Sequence, residues 1–460
     1  MHSEQSVLHH MARWSSCTRS TDIPADVRHQ ACLHLTDTLG VIIAGSATRV
    51  GQIAAASLPP SHDADRCHVL GRSPLRAQPV PAAFANGAAA HALDFDDNCY
   101  AGVVHGSAVI APAALAAAQH MQATTQDLIS AFVIGSECEY AFGAATRNVL
   151  YLKGWWTTGV LGPLGACAAA AWLYGLNPIQ TAQALGLAIV GAGGSKACFG
   201  TDAKALMAGR AAAWGIQCAT LVQSGASGPT HAIESPNGFT ALFNDHEWDD
   251  TVLEALGQRW ALLEPGVDIK RLPVCLSSHS AVDAIEFLVH THALLAQDIA
   301  KIHCDVPPMV RKNLVYDRPQ TAQQSQFSMP FAIAISLQEG ILRLQHLNTE
   351  RLNDPALQAI MGKVQMHTSA RWDTPEMQIS APEGAEVSLH LHDGRVLRAF
   401  RATARGSRQA PLSTQELQHK FIDCTLPVLG SAASQQLWQA LQALDQATPV
   451  DHLFAEPCHA

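Results

Sequence analysis

The sequence predicts a mainly α fold, in which both ends of the chain build one large helical domain and a smaller α+β domain is inserted between them. Three observations carry this prediction. Helical segments rich in Ala and Gly dominate residues 1–265, alternating strand patterns first occur within 266–404, and helical patterns return over 405–460. We therefore place the domain boundaries after residues 265 and 404.

The helices of the first segment follow from their start signals and their apolar spacing. Asp22-Ile23-Pro24 supplies an N-cap and an early proline ahead of an apolar series that ends at Gly45. Many of the helices are so rich in small residues that neighbouring backbones can approach closely. Further helices are predicted over residues 81–93, 107–121, 125–145, 161–174, 178–190, 203–224 and 240–256.

The inserted domain is distinguished by strands. Residues 299–306 alternate between apolar and polar side chains, and residues 387–397 contain two alternating runs joined by Asp393-Gly394, which is a strong hairpin signal. Helices are predicted beside them over 280–295 and 331–338. The C-terminal helical segment then opens with the capping box of residues 413–416.

Composition excludes several classes of function. Hydrophobic residues make up 48% of the chain and charged residues only 15%, well below the roughly 25% of an average soluble protein. This is the opposite of the composition of a disordered chain. A net charge of −10 with no long basic run argues against nucleic-acid binding. Twelve cysteines without a CxxC pair favour free thiols in a reducing compartment.

Membrane insertion is not expected. The N-terminus lacks the charged and apolar regions of a signal peptide. The best candidate for a span is the charge-free stretch 154–195, but Asn177-Pro178 interrupts it and its first half is weakly hydrophobic. We interpret this stretch as a buried helical hairpin and expect a cytoplasmic protein.

Residues 91–98, HALDFDDN, gather one histidine and three carboxylates. If the preceding helix continues through them, His91 and Asp94 share a face, and Asp94, Asp97 and Asn98 lie one turn apart. Acidic groups of this kind can hold magnesium, but that chemistry needs a second acidic site, for which Asp249-Asp250 is poorly suited. The alternative is a helix C-terminus with solvated acids.

Three further features were weighed as parts of a site. His105 precedes Gly-Ser at a helix start, where an anion would meet the helix dipole. Lys204 lies in an Ala-rich, otherwise apolar segment, where the alternative is a lysine that extends to the surface. Lys270 belongs to a second basic spot near the domain boundary. The glycines of 191–196 match no nucleotide-binding motif, and we interpret them as a helix end.

Six ordered blocks give these residues a common context. Together they resemble the MmgE/PrpD family, which includes 2-methylcitrate dehydratase, cis-aconitate decarboxylase and iminodisuccinate epimerase. The likeness covers most of residues 25–340. The blocks are HALDFDDN at 91–98, HGSA at 105–108, GWWTTG at 154–159, the segment from Lys204 to Arg210, KRLP with the following Ser278-His279, and FSMPF at 327–331.

The resemblance implies a helical domain with an α+β lid, a site between the two, a homodimer, and no metal or organic cofactor. It implies that the site is lined by Asp94, Asn98, His105, Lys204 and Lys270. The implied substrates are small di- or tricarboxylates, and the implied common step is removal of the proton next to a carboxylate.

The sequence also departs from the family pattern. The aromatic block has Trp156 where histidine is usual, and the Ser-x-Pro block ends in Phe331 where tyrosine is usual. The loop between Asn98 and His105 also looks one residue longer than in cis-aconitate decarboxylase. Tyr151, five residues before Trp156, offers a phenol near the same block. The alternative for Tyr151 is a ring that packs at a helix end with a hydrated hydroxyl.

These departures favour an epimerase similar to iminodisuccinate epimerase. An epimerase needs only one proton-transferring group on each face of the carbon. We assign those roles to Lys204 and Tyr151, with His105 as the alternative second group, and expect Trp156 and Phe331 to exclude water. The first alternative is a lyase of the dehydratase or decarboxylase type. The second alternative is a non-catalytic binding protein.

We predict that the chain forms a homodimer that buries part of the Ala/Gly-rich domain, because 15% charged residues leave little polar surface for a 49.0 kDa monomer. Light scattering at micromolar concentration measures this directly. A stable monomer under those conditions would contradict the prediction.

Overall fold

A computed structural model of the chain describes residues 6–62, 65–73 and 75–454. It divides into two compact units, Met1–Asp268 with Glu416–Ala460, and Ile269–Gln415. The sequence placed the corresponding boundaries after residues 265 and 404. The structure is 59% helical with 9% strand, so the mainly α prediction is confirmed.

The first unit is helical and carries two short antiparallel strand pairs, β1 with β2 and β3 with β4. The strands are β1 (Cys67–Val69), β2 (Leu75–Ala77), β3 (Asn98–Cys99) and β4 (Val267–Asp268). The helices are α1 (Val7–Cys17), α2 (Ala25–Ser46), α3 (Arg49–Ala56), α4 (Pro79–His91), α5 (Ser107–His120), α6 (Thr125–Ala145), α7 (Val149–Leu152), α8 (Thr157–Leu173), α9 (Pro178–Val190), α10 (Asp202–Gln223), α11 (Phe239–Phe243) and α12 (Thr251–Glu254). The helices α20 (Thr414–Leu429) and α21 (Ser431–Leu441) complete this unit from the other end of the chain.

Helices that are apolar on all sides form the interior of this unit. In α5 the residues 107–119 are all buried, and in α8 so are residues 157–171. A helix without a polar face is stable only when protein surrounds it. Stretch 154–195 accordingly forms the two apolar helices α8 and α9 with a break before the N-cap Asn177, as the sequence predicted.

One described helix, α6, has the length and hydropathy of a membrane span. In its most apolar window the mean hydropathy is 1.2, and 94% of that window is buried inside the protein. The consecutive helices α2 and α3 pass the same test only if taken together, and they are bent by 86° at their junction. Burial inside the unit accounts for the apolar character of α6 without a membrane.

Helices α4 and α10 pack with their backbones in close contact. A Cβ atom built on Gly209 would lie 2.3 Å from the carbonyl oxygen of Phe84, and one built on Gly87 would lie 3.0 Å from the Cα of Gly209. Only glycine permits this approach. The contact brings the C-terminal end of α4 close to the first turns of α10, where the candidate site lies.

The predicted helix over residues 240–256 is wrong. Two short helices, α11 and α12, replace it, and the chain turns between them. Asp245 and His246 both adopt left-handed backbone angles, with φ values of 51° and 61°. Two consecutive left-handed residues cannot belong to a right-handed helix, so the apolar spacing there does not produce one.

The second unit is a four-stranded sheet with helices. The strand order is β6-β5-β7-β8, with β5 parallel to β6 and antiparallel to β7, and β7 antiparallel to β8. The β7–β8 hairpin turns at Gly394, whose φ is 88°, so the predicted Asp-Gly hairpin is confirmed. The strands are β5 (Ile299–Asp305), β6 (Val364–His367), β7 (Ala385–Leu391) and β8 (Val396–Arg401). The helices are α13 (His279–His292), α14 (Pro308–Asn313), α15 (Ala322–Ser325), α16 (Met329–Glu339), α17 (Thr349–Leu352), α18 (Pro355–Met361) and α19 (Pro375–Ser380).

The core of the second unit lies between the sheet and helices α13 and α16. Strand β7 buries alternate residues, and these include Val387 and Leu389. Ile302 of β5 pairs with Leu389 and is also fully buried. Phe331, near the start of α16, belongs to the same hydrophobic core.

We predict that Gly209→Ala destabilises the first unit by about 1–3 kcal/mol, because the added methyl group forces α4 and α10 apart. Thermal unfolding followed by circular dichroism measures the loss. The matched control is Gly193→Ala in the same unit, whose Cβ would meet no atom closer than 4.0 Å and whose φ lies outside the left-handed region. Equal melting temperatures for wild type and Gly209→Ala would contradict the prediction.

Candidate active site

The loop that follows α4 determines the arrangement of the candidate site. The helix ends at His91, and Asp94 adopts a left-handed φ of 49° that reverses the chain. Asn98 then begins β3, where it pairs with Asp268. The helix therefore does not continue through residues 91–98, and the one-turn spacing of Asp94, Asp97 and Asn98 is wrong. The three carboxylates point to different partners instead of forming an acidic cluster.

Asp94 forms a buried ion pair with Lys204 of α10. The Lys204 Nζ lies 2.7 Å from Asp94 Oδ1, and both side chains are less than a tenth exposed. The Lys204 ammonium also lies 5.1 Å from the centre of the Phe199 ring. A carboxylate and an aromatic face both stabilise the ammonium form. This form binds carboxylates and donates protons, whereas the position of Lys204 among Ala, Leu and Met in the sequence predicts a desolvated lysine that is a better base.

Asp96 lies between two imidazoles. Its Oδ2 is 2.6 Å from Nδ1 of His91 and 3.6 Å from Nδ1 of His105, and the two rings are 4.9 Å apart. Both Asp96 and His91 are buried, whereas His105 keeps 16% of its side chain exposed. His105 is thus the member of this group that a substrate can reach.

The hydrogen bonds of His105 define its tautomer. Its Nδ1 lies 2.8 Å from the carbonyl oxygen of Asp97. A carbonyl oxygen only accepts hydrogen bonds, so Nδ1 carries the hydrogen and Nε2 has the lone pair in the neutral ring. A neutral imidazole in this tautomer can take a proton at Nε2, which is the function of a general base.

Backbone contacts hold His105 to the start of α8. Thr158 Oγ1 accepts a hydrogen bond from the His105 amide at 3.0 Å, and the Thr157 hydroxyl donates to the carbonyl oxygen of Val103. Val103 has a left-handed φ of 54°, which is unusual for a β-branched residue. Strained backbone of this kind occurs preferentially at functional sites, where surrounding contacts enforce it.

The Asp97 carboxylate lies deeper in the unit. Its Oδ2 accepts a hydrogen bond from Ser107 Oγ at 2.5 Å and lies 2.8 Å from Nδ1 of His34. The neighbouring carbonyl oxygen of Phe95 accepts a hydrogen bond from Lys420 Nζ at 2.9 Å. The C-terminal segment of the chain therefore helps to hold the loop. The resemblance did not include His34 or Lys420, and no local pattern indicates them.

Lys420 also makes a buried ion pair with Asp37 of α2, with 2.6 Å between Nζ and Oδ1. Burial nevertheless raises the pKa of the Asp37 carboxyl to about 6, because desolvation outweighs the charge of Lys420. Two buried lysines, Lys204 and Lys420, thus lie near the same loop, and each has an aspartate partner.

Trp156 packs against the histidine group. It is 2% exposed, and its ring lies 5.3 Å from that of His91. The Trp156 amide donates to the carbonyl oxygen of Gly194, which joins this block to the glycines of 191–194. The residue that departs from the family pattern therefore lies beside the residues that match it.

Tyr151 has a lysine neighbour. The Lys196 Nζ lies 3.0 Å from the centre of the Tyr151 ring and donates to the Tyr151 carbonyl oxygen at 2.7 Å. The cation therefore meets the ring face and the backbone. As an acid, Tyr151 would need a nearby lysine or His105 to stabilise its phenolate, and the structure places Lys196 against the face of its ring.

Two of the expected site residues belong to the second unit. Lys270 is buried, with 1% exposure. Phe331 is fully buried in the hydrophobic core of that unit, which explains why a hydrocarbon ring fits there. The adjacent Arg271 forms ion pairs with Asp283 at 2.7 Å and Glu286 at 2.9 Å, so it stabilises the unit from within.

The described residues also contain one group that could hold a metal ion. His91, Asp96 and His105 offer ligand atoms within 4.8 Å of one another. Two imidazoles and one carboxylate suit a zinc-like ion better than the magnesium considered for the acidic run. However, His91 Nδ1 already contacts Asp96, and His105 Nδ1 already contacts the carbonyl oxygen of Asp97. An ion bound through Nδ1 of both rings would have to replace these two hydrogen bonds.

Family models match almost the whole chain. The MmgE/PrpD N-terminal domain model matches residues 9–251, and the C-terminal domain model matches residues 272–446. The chain belongs to the MmgE/PrpD family. The resemblance inferred from the six blocks is therefore confirmed.

Characterised relatives in this family are enzymes. The cis-aconitate decarboxylase of Homo sapiens is 27% identical over 89% of this chain and 84% of its own length. A cis-aconitate decarboxylase-like protein of Aspergillus oryzae is 25% identical over 98% of this chain and 97% of its own length. The cis-aconitate decarboxylase of Aspergillus terreus is 24% identical over 97% of this chain and 95% of its own length. These names match the lyase alternative and give the epimerase no specific support.

A buried acid behind the site was missed by the sequence argument. Glu139 of α6 is fully buried, and neither carboxyl oxygen has a hydrogen-bond partner among the described residues. Burial, assisted by the negative charge of Asp97, raises the pKa of Glu139 to about 8. Glu139 is therefore protonated at neutral pH. No sequence pattern separates it from Glu137, which accepts hydrogen bonds from two backbone amides.

We predict that the wild type loses stability between pH 6 and 9 and that Glu139→Gln does not. The pKa of this carboxyl rises from 4.5 to about 8 on folding, so its contribution is full below pH 4.5 and falls as the pH rises through 8. Between pH 6 and 9 the wild type should lose on the order of 2–3 kcal/mol relative to the variant.

Chemical unfolding at both pH values measures this difference. Glu254→Gln, at an exposed glutamate, is the matched control and should follow the wild type. Parallel stability profiles for wild type and Glu139→Gln would show that Glu139 is already ionised at neutral pH.

Proposed function

We propose that this chain is a lyase that acts on a small di- or tricarboxylic acid by acid/base chemistry, without a cofactor. The observation that carries the proposal is the pairing of a proton acceptor with a proton donor in one buried group. His105 has its lone pair on Nε2, and Lys204 is held as an ammonium by Asp94. His91 lies beside both groups: its ring is 4.9 Å from that of His105, and burial together with the positive charge of Lys204 lowers its pKa.

The expected reaction removes a carboxylate or a hydroxyl next to the reacting carbon. In decarboxylation the carbon–carbon bond breaks, carbon dioxide leaves, and the electron pair stays on the carbon. That carbon must then receive one proton, which the Lys204 ammonium can donate. The decarboxylase names of the relatives support this reaction for the chain and cis-aconitate as the first substrate to test.

The epimerase is the second candidate, and Trp156 and Phe331 favour it. Both positions carry an aromatic ring that does not titrate where the family usually has histidine or tyrosine, which leaves fewer groups for the extra proton transfers of a lyase. Tyr151 would then supply the second proton-transferring group. Lys270 and Asn98 are proposed as substrate ligands under either reaction, because charge-assisted hydrogen bonds orient small anions.

The deciding experiment is incubation of the full chain in deuterium oxide with cis-aconitate and related di- and tricarboxylates, followed by NMR. Carbon dioxide release with one deuterium in the product supports the decarboxylase, and a new double bond with loss of water supports the dehydratase. Deuterium exchange with inversion supports the epimerase instead. Binding without any exchange supports the non-catalytic alternative. Each incubation is repeated with EDTA, and activity lost to EDTA and restored by a metal would contradict a cofactor-independent reaction.

We predict that loss of the Lys204 ammonium lowers kcat by about 10²–10⁴-fold, as expected for a proton-transferring group. Lys204→Met alone leaves Asp94 buried without its cation, so the neutral double variant Lys204→Met with Asp94→Asn is tested beside it. Lys153→Met is the matched control, since Lys153 forms its ion pair at the surface with Asp245.

Tyr151→Phe separates the two candidates. For the lyase it should retain turnover within a few-fold, because the ring and its contact with Lys196 remain. For the epimerase it should abolish inversion while exchange of one enantiomer persists.

Full activity in the neutral double variant Lys204→Met with Asp94→Asn would overturn the role of Lys204 in both reactions.

A further inference from the structure

The buried carboxylate of Asp96 has no role in the chemistry described so far, yet it contacts both histidines of the site. Its Oδ2 lies 2.6 Å from His91 Nδ1 and 3.6 Å from His105 Nδ1. We propose that Asp96 and His91 are positioning residues for His105: Asp96 compensates the positive charge that His105 acquires with a proton, and His91 holds Asp96 in place. The consequence for catalysis rests on the proposed function, whereas the effect on His105 itself does not.

The orientation of His105 and the compensation of its charge depend on different groups. His105 Nδ1 donates to the carbonyl oxygen of Asp97, so its geometry does not require Asp96. The Asp96 carboxylate instead provides a negative charge 3.6 Å from that nitrogen. An opposite charge at this distance favours the protonated imidazole, and burial strengthens the effect because little water screens it.

His91 and His105 do not bind a proton equally well. Burial lowers the pKa of His91, with the Lys204 charge acting in the same direction, although Asp96 and Asp94 oppose it. His91 is therefore the neutral member of the pair. It donates through Nδ1 to Asp96, and this contact orients the carboxylate toward His105.

The surroundings of the His91 imidazole explain its dependence on Asp96. Its Nε2 is buried and has no hydrogen-bond partner among the described residues. On another side, Trp156 packs on its ring. Among the described residues, Asp96 is the recorded hydrogen-bond partner of the His91 side chain, so the imidazole acts through Asp96.

Other titratable groups also lie around His91, Asp96 and His105. Asp94 and Lys204 form their own ion pair, and the Asp97 carboxylate contacts Ser107 and His34. From α6, Glu139 lies behind Asp97 and is protonated at neutral pH, because its pKa is raised to about 8. Tyr140 packs its ring where a side chain of Gly106 would lie. Burial and nearby negative charge raise the pKa of its phenol well above the ordinary value, so Tyr140 is neutral. Of these carboxylates, Asp96 is the one with a recorded ionic contact to His105 Nδ1.

The direct test is an NMR titration of the full chain with labelled histidine side chains. The chain has 23 histidines, so the signals of His105 and His91 are identified by their loss in His105→Asn and His91→Asn. Asp96→Asn retains an acceptor for His91 but removes the charge. The midpoint of His105 should move to lower pH by about one unit or more in this variant. An unchanged midpoint would overturn the proposal.

The matched control is His34→Asn. His34 contacts Asp97 at 2.8 Å and is buried like His91, but it is not in the contact with Asp96. It should lower the melting temperature without moving the His105 midpoint. An equal shift in His34→Asn would mean that general loosening of the core, and not the Asp96 charge, controls His105.

The catalytic test compares pH–rate profiles. In Asp96→Asn the limb that reports His105 should move to lower pH by the same amount as the NMR midpoint, with kcat lowered and KM within about two-fold. His91→Asn, whose amide can replace Nδ1–H, should retain much more activity than His91→Leu. Equal activities of these two variants would overturn the role of His91. The same two variants test the proposal if Asp96→Asn fails to fold.

The two proposals fail in different ways. If no polycarboxylate reacts but the His105 midpoint still shifts in Asp96→Asn, the proposed function is wrong and the positioning of His105 stands. If a polycarboxylate reacts and neither the midpoint nor the pH profile moves, the function stands and the role of Asp96 is wrong.

Discussion

The close contact of α4 with α10 is the constraint on which the candidate site depends. Gly87 and Gly209 let the two backbones meet at a distance that no Cβ atom would allow. Because Lys204 lies five residues before Gly209, this contact brings it within 2.7 Å of Asp94 at the end of α4. A buried lysine is stable only when such a partner is in reach. The glycines thus determine the electrostatics of the site without touching a substrate.

The same loop distributes its negative charges among different partners. Asp94 pairs with a lysine, Asp96 with two histidines, and Asp97 with a hydroxyl and the more deeply buried His34. The reversal of the chain at Asp94 makes this possible, because on a continuous helix Asp94 and Asp97 would lie one turn apart and repel each other. Lys420 then holds the loop from the C-terminal segment. This contact gives a physical reason why both ends of the chain build one unit.

Local signals in the sequence predict local structure well. Apolar spacing, capping residues and the Asp-Gly turn gave the main helices and the hairpin, because each depends on residues within a few positions. The resemblance brought His105, Lys204 and Trp156 together, and the structure places them around His91 and Asp94. Partner choice could not be predicted in this way. The contacts of His34 and Lys420 join residues tens or hundreds of positions apart, and no periodic pattern marks them.

The state of Lys204 also bears on the direction of the chemistry. A two-base epimerase needs each of its groups to accept a proton from one enantiomer and to donate one to the other. A lysine held as an ammonium by Asp94 and by the Phe199 ring is suited to donation and poorly suited to acceptance. A lyase that ends by protonating a carbanion uses that group in one direction only. The apolar Trp156 beside His91 would keep water from that carbanion. The ion pair of Lys204 with Asp94 is therefore one reason to propose a lyase before an epimerase.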